Sequence, residues 1–154
     1  MNNIKIRKAK KSDSKFILKL IDELALFEKL SPPDKKGKDR LIRDAFSSNP
    51  HFNILLSESG KIISGYAFYF FTYSSFKARR TLYLEDIFIS ENFRNKGIGK
   101  LFFSKLLEIA RKNKCGRIEW VVLDWNENAL RFYEKLGAME LKDWKTFRIN
   151  LRND

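Results

Sequence analysis

The sequence predicts an α/β fold with a mixed sheet, and two observations support that prediction. Runs rich in β-forming residues over 51–57, 61–73 and 81–89 follow one another closely, which indicates a three-strand meander. Segments with apolar residues at helical spacing lie on both sides of this meander. A chain of 154 residues with this order of elements is expected to form a single domain over 1–154, with helices packed on a sheet.

The first half begins with an alternating run at 3–8, which predicts a short strand. Ser12 or Asp13 can cap the helix that follows. Its apolar positions recur at helical spacing: Phe16, Ile17, Leu20, Ile21, Leu24 and Phe27. Residues 30–37 combine prolines, glycine and charge and predict a loop, and a short helix is expected over 38–46. Residues 58–60 are expected to join the first two meander strands as a hairpin.

The second half contains the clearest helix pattern, over 97–112, with the apolar set Leu101, Phe102, Leu106, Leu107 and Ile109. Residues 117–123 predict a strand. Asn126 is expected to cap a helix over 127–136 that Gly137 ends. Alternation over 138–142 and 145–151 predicts two final strands.

The composition is that of a soluble globule, with 44% hydrophobic and 32% charged residues. The longest nearly apolar stretch, 62–71, is too short to span a membrane. The first residues lack the apolar core of a signal peptide, so a cytoplasmic location is expected. One cysteine excludes an internal disulfide framework and a cysteine-based zinc site, and no metal is expected.

The net charge of +12 favours an anionic partner, either nucleic acid or a polyphosphate cofactor. The lysines are spread along the chain, and no block of five like charges occurs. Nucleic acid is therefore an unlikely partner, and a solvated basic surface accounts for most of these lysines.

The turn at 94–99, RNKGIG, lies between a strand pattern and a helix pattern. The first amides of a helix have no intrahelical partner, and the helix dipole adds positive character there. Gly97 and Gly99 let a ligand approach the backbone, while Arg94, Lys96 and Lys100 add charge. The turn therefore predicts a phosphate or pyrophosphate site, the alternative being a structural turn with solvated basic residues. The turn lacks the Lys-Ser/Thr pair that ends a Walker motif, and it begins with Arg94 where a Rossmann fingerprint has its first glycine.

This turn resembles the acetyl-coenzyme A loop of the GNAT N-acetyltransferases, whose pattern is Arg/Gln-x-x-Gly-x-Gly/Ala after a bulged strand. Residues 122–138 are similar to the family's second half, with its N…A…FY…G signature. The runs FEKLS at 27–31 and VLDWN at 122–126 resemble the diamine N-acetyltransferase group, which includes spermidine/spermine and thialysine acetyltransferases. Ser74 and Phe76 stand where the polyamine enzymes carry Asp and Trp, which puts a long polyamine substrate in question.

The resemblance implies the GNAT fold, a mostly antiparallel twisted sheet flanked by helices, with acetyl-coenzyme A as co-substrate and a homodimer as the common assembly. It implies that acetyl-coenzyme A contacts the strand end, the turn and the second half of the chain. The implied cofactor-binding residues are Ile87, Phe88, Ile89, Arg94, Asn95, Lys96, Gly97, Ile98, Gly99, Lys100, Asn126, Tyr133 and Lys135.

Acetyl transfer requires a neutral amine, and an alkylamine with a pKa of about 10.4 is mostly protonated at neutral pH. Glu85 precedes the turn and is the candidate base, acting directly or through a water. A bulge in this strand could bring both Glu85 and Asp86 to the site. The pair could otherwise be a solvated strand end or form salt bridges with the nearby arginines. Tyr133 occupies the family's general-acid position, where it would protonate the leaving thiolate, unless it is only a packing aromatic. Asn126 could cap its helix or bind the pantetheine arm, and Lys135 could reach the nucleotide phosphate.

A cationic acceptor needs a local acidic pocket in a protein of net charge +12. The candidate substrate-binding residues are Glu85, Asp86, Phe27, Glu28 and Phe76, the aromatic ones because they can stack on an ammonium. The sequence thus predicts an N-acetyltransferase that acts by direct attack of a primary amine of a small cationic substrate: a thialysine-like amino acid, a diamine or a polyamine. Two alternatives stay open. One is a GNAT enzyme that acetylates a protein N-terminus or lysine, and the other is a non-catalytic basic module that binds nucleic acid or coenzyme A.

Overall fold

The computed structural model describes residues 3–152 and divides into two compact units, the first ending at Val121 and the second beginning at Val122. The first unit contains a five-stranded sheet in the order β1-β2-β3-β4-β5. Its strands are β1 Lys5–Lys8, β2 Asn53–Ser59, β3 Ile62–Ser74, β4 Arg79–Ile89 and β5 Arg117–Glu119. All neighbours pair antiparallel except β4 and β5, which pair parallel. The predicted mixed, mostly antiparallel sheet is confirmed.

The helices of the first unit are α1 Ser14–Glu28, α2 Lys35–Ala45 and α3 Ile98–Lys112. On one face of the sheet, α1 buries Ile17 and Leu20 in a cluster with β-strand residues that include Tyr66 and Phe88. The helix α2 begins three residues before the predicted start, because the Asp34 carboxylate accepts a hydrogen bond from the Gly37 amide at 2.8 Å and caps it. The predicted loop therefore ends at Asp34.

The helix α3 contacts β1, β2, β4 and β5. Its buried side chains are Ile98, Phe102, Phe103, Leu106 and Ala110. Leu101 and Leu107, which the apolar pattern placed in the packed face, are exposed. The packed face follows the four-residue spacing from Ile98 through Phe102 and Leu106 to Ala110, and this spacing turns Leu101 and Leu107 toward solvent.

A network of three charged side chains joins β1, the start of α1 and β2. Arg7 donates to both carboxylate oxygens of Asp13, at 2.9 and 3.0 Å, and to Glu58 at 3.0 Å. Asp13 precedes α1 as predicted, but its carboxylate accepts from the Lys10 amide at 2.7 Å and makes no cap bond to α1. The Arg7 guanidinium holds the pKa of the buried Asp13 carboxyl below its ordinary value. This ion pair ties the first strand to the first helix.

In the second unit, α4 spans Glu127–Lys135. Asn126 caps it as predicted, because its side-chain oxygen accepts from the Ala129 amide at 3.3 Å. Gly137 follows the helix in the left-handed region, with φ of 82°, and ends it. The strand predicted over 117–123 is shorter and ends at Glu119.

The prediction of two final strands is wrong for the described residues, since 138–152 contain no strand. The alternation of Phe147, Ile149 and Leu151 with polar residues is real, and these side chains are exposed. Alternation indicates which side chains share a face but does not supply a hydrogen-bonding partner. Within residues 122–152 no strand is available to pair, and a lone hairpin is at best marginally stable.

Candidate active site

The strand β4 carries a bulge at the predicted base. In its pairing with β3, Asp86 lies opposite Phe68 and Leu84 lies opposite Tyr69, so Glu85 is an extra residue without a partner. In a regular strand Glu85 and Asp86 would point to opposite faces, and the bulge interrupts that alternation. The predicted bulge is therefore present. The Glu85 side chain is exposed, and that of Asp86 is partly buried.

Asp86 is bound by a buried phenol from the neighbouring strand. The Tyr66 hydroxyl donates to Asp86 Oδ2 at 3.1 Å, and Tyr66 is 0% exposed. Burial raises the pKa of Asp86 to about 6, the Tyr66 hydrogen bond opposes that rise, and the charges of Glu85 and Glu28 add to it. A carboxyl with this pKa can take up or release a proton close to neutral pH.

The charges of Glu28 and Glu85 both act on Asp86, and we refer to these three residues as the carboxylate cluster. Burial raises the pKa of Glu28 at the end of α1. Burial and the charges of all three carboxylates raise the pKa of Tyr66 above its ordinary value. The cluster is a local concentration of negative charge on a chain of net charge +12. Such a region attracts an ammonium group.

The turn after β4 has the backbone shape of an anion site. Asn95 and Gly97 both have positive φ, of 61° and 79°, and α3 begins at Ile98. Successive amides in turns of this kind form concave anion-binding nests, and the first amides of α3 add to it. A Cβ on residue 97 would have no atom within 4 Å, so the space beside Gly97 is open. These features of the turn are suited to binding a pyrophosphate group.

Arg94 is anchored within the turn. Its Nε donates to the Ile89 carbonyl at 2.9 Å, and its guanidinium lies 5.0 Å from the centre of the Phe27 ring and 5.4 Å from that of Phe88. It also lines a groove of about 790 Å³ beside α1. Lys96, in contrast, is exposed and donates to the Asn92 carbonyl at 3.0 Å.

The edge of β4 next to the carboxylate cluster is open within the first unit. The parallel pairing with β5 covers Thr81–Tyr83 and stops there among the described residues. An unpaired strand edge can bind an extended ligand through its backbone amides and carbonyls. The pantetheine arm of coenzyme A contains amides, so this edge suits the backbone contacts expected at Ile87 and Ile89.

Phe27 and Phe76, the two aromatic candidates for the substrate site, have different surroundings. Phe27 neighbours Glu28, and its ring lies 6.3 Å from that of Phe88. Phe76 is fully exposed in the turn between β3 and β4, beyond the pair formed by Ser74 and Arg79. About six residues of extended strand lie between that pair and the pair formed by Phe68 and Asp86. Along the strand this corresponds to a distance of about 20 Å. The structure does not bring Phe76 to the carboxylate cluster.

Three of the cofactor-binding candidates lie on the second unit. Tyr133 is in the last turns of α4, half-buried, with its ring 5.6 Å from that of Phe132. Lys135 ends the same helix and is exposed, while Asn126 begins it. The side-chain oxygen of Asn126 caps the helix, and its side-chain nitrogen can still donate a hydrogen bond to a ligand.

Sequence reasoning missed Tyr66, which stands in the apolar run GYAFYFF. A buried tyrosine usually has a hydrogen-bond partner for its hydroxyl, so a search for an acceptor on the adjacent strand could have identified it. Within residues 3–152, no group of three or more His, Cys, Asp or Glu side chains is arranged to hold a metal ion. The helices of the same range are all too short or too polar to cross a membrane.

Comparison with known proteins gives the family. Residues 18–138 match the model of the acetyltransferase (GNAT) family. The chain is similar to thialysine N-epsilon-acetyltransferase of Mus musculus, at 38% identity over 97% of this chain and 94% of the mouse protein. It is also similar to spermidine/spermine N(1)-acetyltransferase-like protein 1 of Homo sapiens, at 34% identity over 97% of this chain and 23% of the human protein.

A solved structure supports the fold. The ribosomal-protein-alanine N-acetyltransferase of Brucella melitensis biovar Abortus 2308 aligns over 97% of this chain and 100% of its own, with a TM-score of 0.76 and 17% identity. At this identity the likeness concerns the fold alone. The family match covers most of the sequence, from α1 to the residue after Gly137. The chain therefore belongs to the GNAT family of acetyltransferases, enzymes that use acetyl-coenzyme A as co-substrate.

Proposed function

We propose that this enzyme acetylates a primary amine of a small cationic molecule, such as a thialysine-like amino acid, a diamine or a polyamine. The observation that supports this proposal best is the carboxylate cluster on β4 and α1. Its two members on β4 precede the turn at 94–99. The similarity to an enzyme named for thialysine acetylation points to the same class of acceptor.

Acetyl-coenzyme A would be held by the turn and by the open edge of β4. The proposed contacts are the backbone of Ile87, Phe88 and Ile89, the turn residues Arg94, Asn95, Lys96, Gly97, Ile98, Gly99 and Lys100, and from the second unit Asn126, Tyr133 and Lys135. The family match extends across both units, which supports the proposal that residues 1–154 act as one domain. Bound acetyl-coenzyme A supplies an activated thioester.

The carboxylate cluster binds the ammonium form of the acceptor and removes its proton. Glu85 takes that proton, directly or through a water, and the neutral nitrogen then attacks the acetyl carbonyl. Asp86 and Glu28 hold the substrate's positive charge. The Tyr133 hydroxyl donates a proton to the departing sulfur as the C–N bond forms and the C–S bond breaks. The attacking nitrogen then gives up its second proton, which restores the Tyr133 hydroxyl, and the products are an amide and a free thiol.

An amine panel tests this proposal. Purified protein and acetyl-coenzyme A are incubated with thialysine, lysine, putrescine, spermidine, spermine or a short peptide, and free thiol is measured. We expect turnover with at least one small amine and with none of the peptides. Turnover confined to the peptides would favour the alternative, acetylation of a protein N-terminus or lysine. No turnover, together with a salt-dependent affinity for DNA, would favour the basic binding module.

The proposal also includes a homodimer and a cytoplasmic location. The exposed apolar side chains of Trp144, Phe147 and Ile149 support an interface between two copies. The single cysteine is compatible with a reducing compartment. Light scattering after size exclusion tests the dimer, and a mass of 18.2 kDa, that of one chain, would contradict it.

A further inference from the structure

Tyr66 is unusual among the side chains near the cluster, because its phenol is buried completely and still has a specific acceptor. It lies in the apolar core with Ile17, Leu20 and Phe88. A buried hydroxyl without a hydrogen-bond partner destabilises the folded state, so its presence in a core requires compensation. The compensation here is the bond to Asp86 Oδ2 at 3.1 Å.

We propose that Tyr66 is a positioning residue that orients Asp86 and keeps its carboxylate ionised for binding the amine's ammonium group. This inference rests on the proposed function, which makes Asp86 part of the substrate site. The hydroxyl binds one oxygen of the carboxylate and restricts its rotation. A carboxylate that is fixed in this way presents a defined oxygen to a cation, and less side-chain entropy is lost when the cation binds.

The groups that act on Asp86 oppose one another. Burial and the negative charges of Glu85 on β4 and Glu28 on α1 favour the protonated form of Asp86. The Tyr66 hydroxyl on β3 favours the ionised form, because it donates to the charged oxygen. Removal of this hydroxyl therefore raises the pKa of Asp86 above its value of about 6. At pH 6 to 7 a larger fraction of Asp86 is then protonated and unable to bind an ammonium.

Tyr66→Phe tests the inference, because it removes the hydroxyl and leaves the ring. We expect the ratio of wild-type to variant kcat/KM for the amine to be at least about threefold larger at pH 6 than at pH 8.5, where Asp86 is ionised in both proteins. Use of the ratio cancels the titration of the amine itself. A purely structural role for Tyr66 would lower activity by the same factor at every pH.

Two further variants serve as controls. Tyr69→Phe removes another buried hydroxyl from β3, and its activity ratio to wild type should not change with pH. In an Asp86→Asn background, Tyr66→Phe should have no pH-dependent effect. A constant ratio for Tyr66→Phe in the wild-type background would overturn the inference, and so would an unchanged pH dependence in the Asp86→Asn background.

The inference can also be tested without turnover. The carbon-13 resonance of the Asp86 carboxyl, assigned by its loss in Asp86→Asn, reports its pKa directly. We expect a higher pKa of Asp86 in Tyr66→Phe than in wild type. An unchanged pKa would overturn the inference even if the enzyme is active. If no amine is acetylated, the proposed function is wrong, and the NMR measurement still tests whether Tyr66 lowers the pKa of Asp86.

Discussion

Arg94 Nε lies 2.9 Å from the carbonyl oxygen of Ile89, and this hydrogen bond closes the turn onto the end of β4. The same guanidinium lies over the rings of Phe27 and Phe88. Arg94 thus connects β4 and α1, the two elements that carry the carboxylate cluster, with the proposed pyrophosphate site. These contacts require the planar, forked shape of the guanidinium as well as its positive charge.

We predict that Arg94→Lys and Arg94→Ala weaken acetyl-coenzyme A binding to a similar extent, by about tenfold, because an ammonium cannot reproduce the stacking together with the bond to Ile89. Isothermal titration calorimetry measures this affinity. If Arg94→Lys binds as tightly as wild type while Arg94→Ala does not, only the charge matters and the anchoring role is wrong.

Gly65→Ala should destabilise the two strands that carry the site. A Cβ at this position would lie 2.6 Å from the Phe88 carbonyl oxygen, which is backbone and cannot rotate away. We expect the free energy of unfolding to fall by about 2–3 kcal/mol. Gly60→Ala is the matched control, since its φ of 61° is strained but its Cβ would have open space. A loss of about 1 kcal/mol is expected there. Equal losses in urea denaturation would contradict the steric argument.

Asp13→Asn should remove pH-dependent stability. The Arg7 hydrogen bonds lower the folded-state pKa of Asp13 below 3.8, so this stabilisation is present above pH 3.8 and is lost as the pH falls through the lower folded pKa. At pH 7 the substitution should cost about 2 kcal/mol. Urea denaturation at pH 7 and pH 3 should show this difference shrinking at the lower pH. Asp39→Asn, at an exposed carboxylate, should cost nearly nothing. A pH-independent cost for Asp13→Asn would contradict the account.

Tyr133→Phe should lower kcat by at least about tenfold, because the general acid for the departing thiolate is lost. The affinity for acetyl-coenzyme A should stay near that of wild type, and this separates a chemical role from binding. Phe132→Leu is a suitable neighbour control for a change in packing on α4. Wild-type kcat in Tyr133→Phe would remove this residue from its proposed role.

The strand β4, the turn and α3 were predictable from the sequence because their signals are local. Strand formers, a basic turn with Gly97 and a helical period stand next to one another, so no distant contact is needed to recognise them. The bond between Tyr66 and Asp86 could not be predicted in the same way. It joins residues 20 positions apart, and it depends on the register of β3 against β4 and on the bulge between them.

The C-terminal residues illustrate another limit. The alternating pattern around Phe147 and Ile149 identified which side chains share a face, but it could not supply the partner that a strand requires. Phe76 shows a similar limit, since its distance from Asp86 depends on the length of the β3–β4 hairpin. Both cases concern the position of an element relative to others, which a local pattern does not contain.

The central claim is that the carboxylate cluster accepts the proton of the amine, with Glu85 as the base. The most direct measurement is kcat/KM for the preferred amine in Glu85→Gln, at saturating acetyl-coenzyme A, beside Glu91→Gln as an exposed acidic control in the next turn. The account predicts a loss of at least about 100-fold for Glu85→Gln, with an unchanged affinity for acetyl-coenzyme A, and nearly wild-type activity for Glu91→Gln. Wild-type activity in Glu85→Gln, or an equal loss in both variants, would contradict it.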